Sequence, residues 1–121
     1  MSIRVLVTEP DFELAETYEA FLTRKGFEVL IAANGQQCID CLRDGTSDVL
    51  ILETDLPDGC ASEIQHSMRD HSDSTPVVIV TRRESSVGLL PAKAIFVKPV
   101  AMQELCQTIK IVVVSTKTKS N

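Results

Sequence analysis

The sequence predicts a doubly wound α/β domain, a five-stranded parallel sheet in the order 2-1-3-4-5 with helices on both faces. Three observations carry that prediction. Short, wholly apolar runs such as Val49 to Leu52 and Val77 to Val80 read as strands buried on both faces, as strands of parallel sheets are. Segments with helical spacing of apolar residues alternate with these runs, which is what parallel crossovers require. The runs also end on polar residues: Glu9 follows the first, Glu53 the third, Thr81 the fourth and Lys98 the fifth. The carboxyl edge of such a sheet is where ligand sites lie.

Taken in order, Ile3 to Val7 is the first strand, stopped at Thr8-Glu9-Pro10-Asp11. Asp11 is placed to cap a helix whose inner face is Leu14, Ala15, Tyr18, Phe21 and Leu22, and Gly26 supplies its stop. Phe27 to Ile31 makes the second strand. Asn34-Gly35 then turns the chain into a helix with Cys38, Ile39, Cys41 and Leu42 inward, ended by Gly45. The third strand belongs to the stretch DVLILETDLPDG, Asp48 to Gly59, in which four apolar residues lead to Glu53 and then to a turn built from Asp55, Pro57, Asp58 and Gly59.

Ala61, Ile64 and Met68 give the third helix a thin apolar stripe, and Val77 to Val80 follows as the fourth strand. Between Arg82 and Lys93, Gly88 and Pro91 leave room for about two helical turns, so a shortened fourth helix is expected. Ala94 to Val97 is the fifth strand. After Lys98-Pro99 the last helix buries Met102, Leu105, Cys106, Ile109, Val112 and Val113. Residues 1–114 are expected to form one domain, and 115–121 a disordered tail.

With 121 residues the chain has room for one core and no second domain. A net charge of −5 argues against a nucleic-acid partner, since phosphate binding needs clustered Lys and Arg and the chain offers only Arg82-Arg83. No apolar run approaches the roughly 20 residues of a membrane helix, and the opening MSIRVLV begins a strand at once, so a cytoplasmic protein without a signal peptide is expected. The four cysteines then read as reduced thiols. Cys38 and Cys41 match C-x-x-C but lie on the inner face of their helix with no second pair to complete a metal site, which makes them core residues. His66 and His71 share no helical face and read as solvated.

The chemistry concentrates at the switch point between the first and third strands, which sets Glu9 beside Glu53. Two unit charges 4 Å apart repel by about 4 kcal/mol at an effective dielectric of 20, so the pair needs a cation. Lys98 and Mg²⁺ are the candidates. A hydroxyl from Thr81 and an ammonium from Lys98 also suit the outer oxygens of a phosphoryl group.

These motifs resemble the receiver domain of two-component response regulators. VLVTEPD resembles its first-strand acidic motif, DVLILETDLPDG its phosphoacceptor strand and loop, PVVIVT its hydroxyl-bearing strand, and FVKPV its Lys-Pro motif. The resemblance spans about Ile3 to Val113 and implies a flavodoxin-like fold, with a Lys-Pro bond that is usually cis. It implies a pocket of Glu9, Pro10, Asp11, Thr81 and Lys98 around Glu53, the position of the nucleophilic Asp. The family's second acid, a metal ligand, falls on Pro10, although Asp11 is near enough to lean in. Its switch aromatic falls on Ile95. Residual Mg²⁺ ligands would be Glu9, Glu53 and the Asp55 carbonyl, so Mg²⁺ binding is expected to be weakened and no cofactor to be required.

Glu53 carries its carboxylate one methylene further out than an aspartate, an overshoot of roughly 1.5 Å, and misplacement near 1 Å costs about a hundredfold in rate. The expectation is a degenerate receiver, a signalling and protein-interaction module rather than an enzyme, in which Glu53 reaches Lys98 and Thr81 directly. Its partner would be a histidine kinase, a phosphotransfer protein or an output protein, with a homodimer through Ile111 and Val114 of the last helix as a further option. A receiver that accepts phosphoryl from a histidine kinase despite Glu53 is the alternative. A small haloacid-dehalogenase-like phosphatase is a third reading.

Overall fold

Each apolar run becomes a strand of one parallel sheet: β1 (Arg4–Thr8), β2 (Glu28–Ala32), β3 (Val49–Leu52), β4 (Val77–Thr81) and β5 (Ala94–Val97), in the order β2-β1-β3-β4-β5. The computed structural model describes residues 2–59, 61–82 and 91–119, with the backbone alone for 117–119. Among the described residues four helices cover the sheet: α1 (Phe12–Arg24), α2 (Gly35–Arg43), α3 (Ala61–Asp70) and α4 (Met102–Lys119). The order and the parallel sense are those the sequence predicts.

Because side chains alternate along a strand, the sheet builds two cores. Val5, Val7, Val49, Ile51, Val78 and Val80 pack with Tyr18 and Leu22 of α1 and Leu105, Ile109 and Val113 of α4. On the other face Leu6, Leu50, Leu52, Val77 and Ile79 pack with Cys38, Ile39 and Leu42 of α2 and Ile64 of α3. Strands β3 and β4 are buried at every position, which is why their sequences run apolar without alternation.

The helix ends follow local chemistry. The Asp11 carboxylate accepts hydrogen bonds from the amides of Glu13 at 3.0 Å and Leu14 at 3.2 Å, so it is the N-cap of α1. At the other end Gly26 takes φ +95°, and the Phe27 amide returns to the Leu22 carbonyl at 3.1 Å, closing the helix. Asn34 caps α2 through the Gln37 amide at 2.9 Å.

The tail does not begin at Ser115: α4 continues through Lys119, and only 120 and 121 of the expected tail lie outside the described residues. A helix already several turns long adds a hydrogen bond for each further residue, so polar Ser, Thr and Lys extend it without needing a core. Thr116 fits this by returning its hydroxyl to the Val112 carbonyl at 2.9 Å. The short helix expected between Arg82 and Lys93 falls mostly on 83–90, which lie outside the described residues.

Replacing the α1 cap, Asp11→Ala, is expected to lower stability by about 1 kcal/mol, the usual worth of an aspartate N-cap. Urea unfolding measures it, and an unchanged midpoint would remove Asp11 from that role.

Candidate functional site

The register between β1 and β3 pairs Thr8 with Leu52, so the next residues along, Glu9 and Glu53, leave the sheet side by side. The backbone keeps its ladder one step further, with the Glu9 amide donating to the Ala32 carbonyl and the Glu53 amide to the Thr8 carbonyl, each at 3.0 Å. Lys98 enters from β5, its amide bonded to the Thr81 carbonyl at 2.8 Å. Glu9, Glu53 and Lys98 continue the strand rows that face α1 and α4. Thr54 and Thr81 continue the rows on the opposite face.

The three charges meet. Lys98 Nζ donates to Glu53 Oε1 at 2.6 Å and to Glu9 Oε1 at 2.7 Å. Both carboxylates are almost fully buried, with side-chain exposures of 3% and 4%, and the lysine side chain is 10% exposed. The second oxygen of each acid is also engaged: Glu9 Oε2 accepts from the Asp11 amide at 3.1 Å and Glu53 Oε2 from the Asp55 amide at 2.9 Å. The Thr54 hydroxyl donates to that of Thr81 at 3.2 Å, which leaves the Thr81 proton for the Glu53 carboxylate. Burial pushes the Glu53 carboxyl up, but hydrogen bonds from Lys98, the Asp55 amide and Thr81, with the lysine's charge, outweigh it and hold the group below its ordinary value.

The sequence-based site is thus assembled in part. Glu9, Glu53, Thr81 and Lys98 converge, and the Lys98-Pro99 peptide is cis as expected. Asp11 caps α1 with its carboxylate, as its place in the sequence predicts, rather than leaning that carboxylate into the pocket, which it serves through its amide. The Asp55 backbone, expected as a source of a metal-binding carbonyl, donates its amide to Glu53. Half-buried Pro10 brings no side-chain oxygen. Ile95 is 48% exposed, on the face of β5 opposite inward-packed Phe96.

Magnesium takes oxygen donors that face one point. Here the point shared by Glu9 and Glu53 is held by an ammonium, and the remaining oxygen of each acid carries an amide. This donor set does not fit the ion. Among the described residues no group of three or more acids, histidines or cysteines converges to replace it.

Sequence reasoning did not identify the role of Asp58. Its carboxylate accepts from the amides of Gly35 at 3.1 Å and Gln36 at 3.2 Å, tying the loop after β3 to the start of α2. Asp58 reads locally as a turn residue, and its partners lie more than twenty residues away along the chain. The C-x-x-C pair is structural: burial pushes the Cys38 thiol to about 12, although the nearby Thr8 hydroxyl acts the other way.

Residues 5–110 match the family model described as the response regulator receiver domain. This chain belongs to that family. It is similar to the response regulator MprA of Mycobacterium bovis, 29% identical over 122 aligned residues, covering 97% of this chain and 53% of that protein. The chain therefore spans about half the length of the curated relatives it matches. Among solved structures, a CheY-like receiver domain protein from Methanospirillum hungatei superposes with a TM-score of 0.88 at 19% identity, covering 98% of this chain and 99% of that one. A Francisella response regulator receiver domain gives 0.85 at 18% identity, covering 95% and 99%. No helix among the described residues of this receiver is long and apolar enough to cross a membrane.

Two measurements follow from the receiver's ion pair. Lys98→Met leaves two buried carboxylates without their cation and is expected to cost about 3 kcal/mol of stability in urea unfolding. The second is a pH dependence. Because the folded Glu53 carboxyl lies below its ordinary 4.5, the unfolded chain takes up this proton first as the pH falls. Its stabilising contribution is full above that value and is lost as the pH drops through the lower folded value. The stability gap between wild type and Glu53→Gln should be widest at neutral pH and close on acidification. A gap that widens in acid would contradict the assignment.

Proposed function

We propose that this domain is a receiver whose phosphoryl pocket is occupied by its own ion pair, so that it works as a protein-interaction module of two-component signalling and is not phosphorylated in the usual way. The observation that carries the reading is the contact of Lys98 Nζ with Glu53 Oε1 at 2.6 Å, made at the position that resembles the family's acceptor aspartate. An ammonium that serves two buried carboxylates has one N–H left and is held away from an incoming phosphoryl oxygen by those two contacts, and a longer acid overshoots the in-line position. Mg²⁺ is not required in this reading, and no turnover is expected.

The rest of the proposal follows from the family and the surface. The domain acts in the cytoplasm, with a histidine kinase, a phosphotransfer protein or an output protein as its partner. Ile111 and Val114, exposed on α4 at 66% and 62%, are its candidate contact or self-association surface. With Ile95 in place of an aromatic, the family's usual route from hydroxyl to surface is not expected to operate. The competing reading, phosphorylation despite Glu53, has in its favour that Thr81 and Lys98 both stand at the pocket.

Acetyl phosphate with Mg²⁺ separates the two. Intact mass of the wild type should show no adduct of about 80 Da, the mass added by one phosphoryl group. The double variant Pro10→Asp, Glu53→Asp, which supplies a metal ligand and the shorter acid, should take up label. Stoichiometric labelling of the wild type would sink the proposal.

A further inference from the structure

Tyr18 is 1% exposed in the core between the sheet, α1 and α4. It shares that core with Val7 and Ile51, the last apolar members of the rows that end in Glu9 and Glu53. Side chains of a helix lean towards its N-terminus. Helix α1 starts just after Glu9, at the carboxyl edge of the sheet, so the lean carries the phenol up beneath the two carboxylates. The electrostatics agree, since after burial the charges of Glu9 and Glu53 are the causes that raise the phenol's pKa.

The Tyr18 hydroxyl is buried and has no hydrogen-bond partner among the described residues. Buried hydroxyls are rarely left so, because desolvation without a partner is costly. A second buried hydroxyl, that of Thr8, faces the Cys38 thiol on the opposite side of the sheet and does not bear on the pocket. Above Tyr18 the acids offer only acceptors, each oxygen already holding one donor with room for another. Whatever joins the phenol to them must accept one hydrogen bond and donate another. Deep in a core, the group that meets both demands is water.

We propose that Tyr18 is the floor of the pocket and holds a buried water between its hydroxyl and the carboxylates of Glu9 and Glu53. Tyr18 is then a positioning residue, acting on the ion pair from α1 through that water. The inference rests on the folded ion pair of the proposed function, but not on whether the domain is phosphorylated.

Tyr18→Phe removes the hydroxyl and keeps the ring. Its unfolding constant in urea should rise about fivefold, the worth of one typical hydrogen bond. In protein labelled with ¹³C-glutamate, the carboxyl signals of Glu9 and Glu53 should move while those of exposed glutamates stay in place, a response that loss of packing alone would not give. A high-resolution crystal structure should place an ordered water within about 3 Å of both the Tyr18 hydroxyl and one of the acids. A Tyr18→Phe protein as stable as wild type, with unmoved carboxyl signals, would overturn the inference, as would a crystal structure without that water. Labelling of the wild type by acetyl phosphate would count against the proposed function alone.

Discussion

The structure of the carboxyl edge depends on a single ammonium shared by two buried carboxylates. Glu9, Glu53 and Lys98 come from the ends of three different strands, and the two acids would repel each other without the lysine. Taking these charges out of water is itself costly, and their mutual attraction repays that cost only when the geometry is good and the spare lone pairs find donors. Both conditions are met here. The two contacts with Nζ are short, and the amides of Asp11 and Asp55 serve the oxygens the lysine does not. Such an arrangement adds little net stability over an apolar core but penalises any alternative that separates its members.

That penalty fixes the loops. Each amide that serves an acid belongs to the residue two positions further on, so the chain must turn sharply after both strands. After β1, the turn delivers Asp11 to the N-terminus of α1 as its cap. After β3, it leads to Asp58, whose carboxylate closes on the start of α2. The ion pair, two turns and the ends of two helices form one continuous set of polar contacts. Rearranging Glu53 would strain the loop between β3 and α3, and this loop lies on the α2 side rather than against β5 where Ile95 stands.

Much of this was legible in the sequence because it rests on short-range pattern. Uninterrupted apolar runs mark strands buried on both faces, and the strand order alone places Glu9 beside Glu53. Lys98 could be brought to them because a buried acid pair requires a cation. The parts that could not be read depend on partners distant in sequence or on how far a helix sits along the sheet. Asp58 looks like an ordinary turn residue until α2 is docked beside it. Tyr18 looks like one more member of an apolar stripe, since helical spacing reports which way a side chain faces and not what its far end meets. The last helix outran its expected end because Ser, Thr and Lys lower helix propensity only slightly, which composition makes look like disorder.

The character of the pocket turns on one methylene. An aspartate at the end of β3 would hold its oxygens close to the strand, where reaching a lysine already bonded to Glu9 would pull the loop after β3 inward. A glutamate spans that gap and keeps Oε2 within 2.9 Å of the Asp55 amide while Oε1 reaches Lys98. Reach therefore gives each of the four carboxylate oxygens a donor from within the chain, and in the proposed reading this is what disfavours an added ion or phosphoryl group, since each must first displace a short, charge-assisted hydrogen bond. Pro10 acts in the same direction, since an acid at that position would have added a third negative charge for one lysine to neutralise. Glu53 and Pro10 are thus mutually consistent, one extending a carboxylate to the available cation and the other withholding a competitor for it.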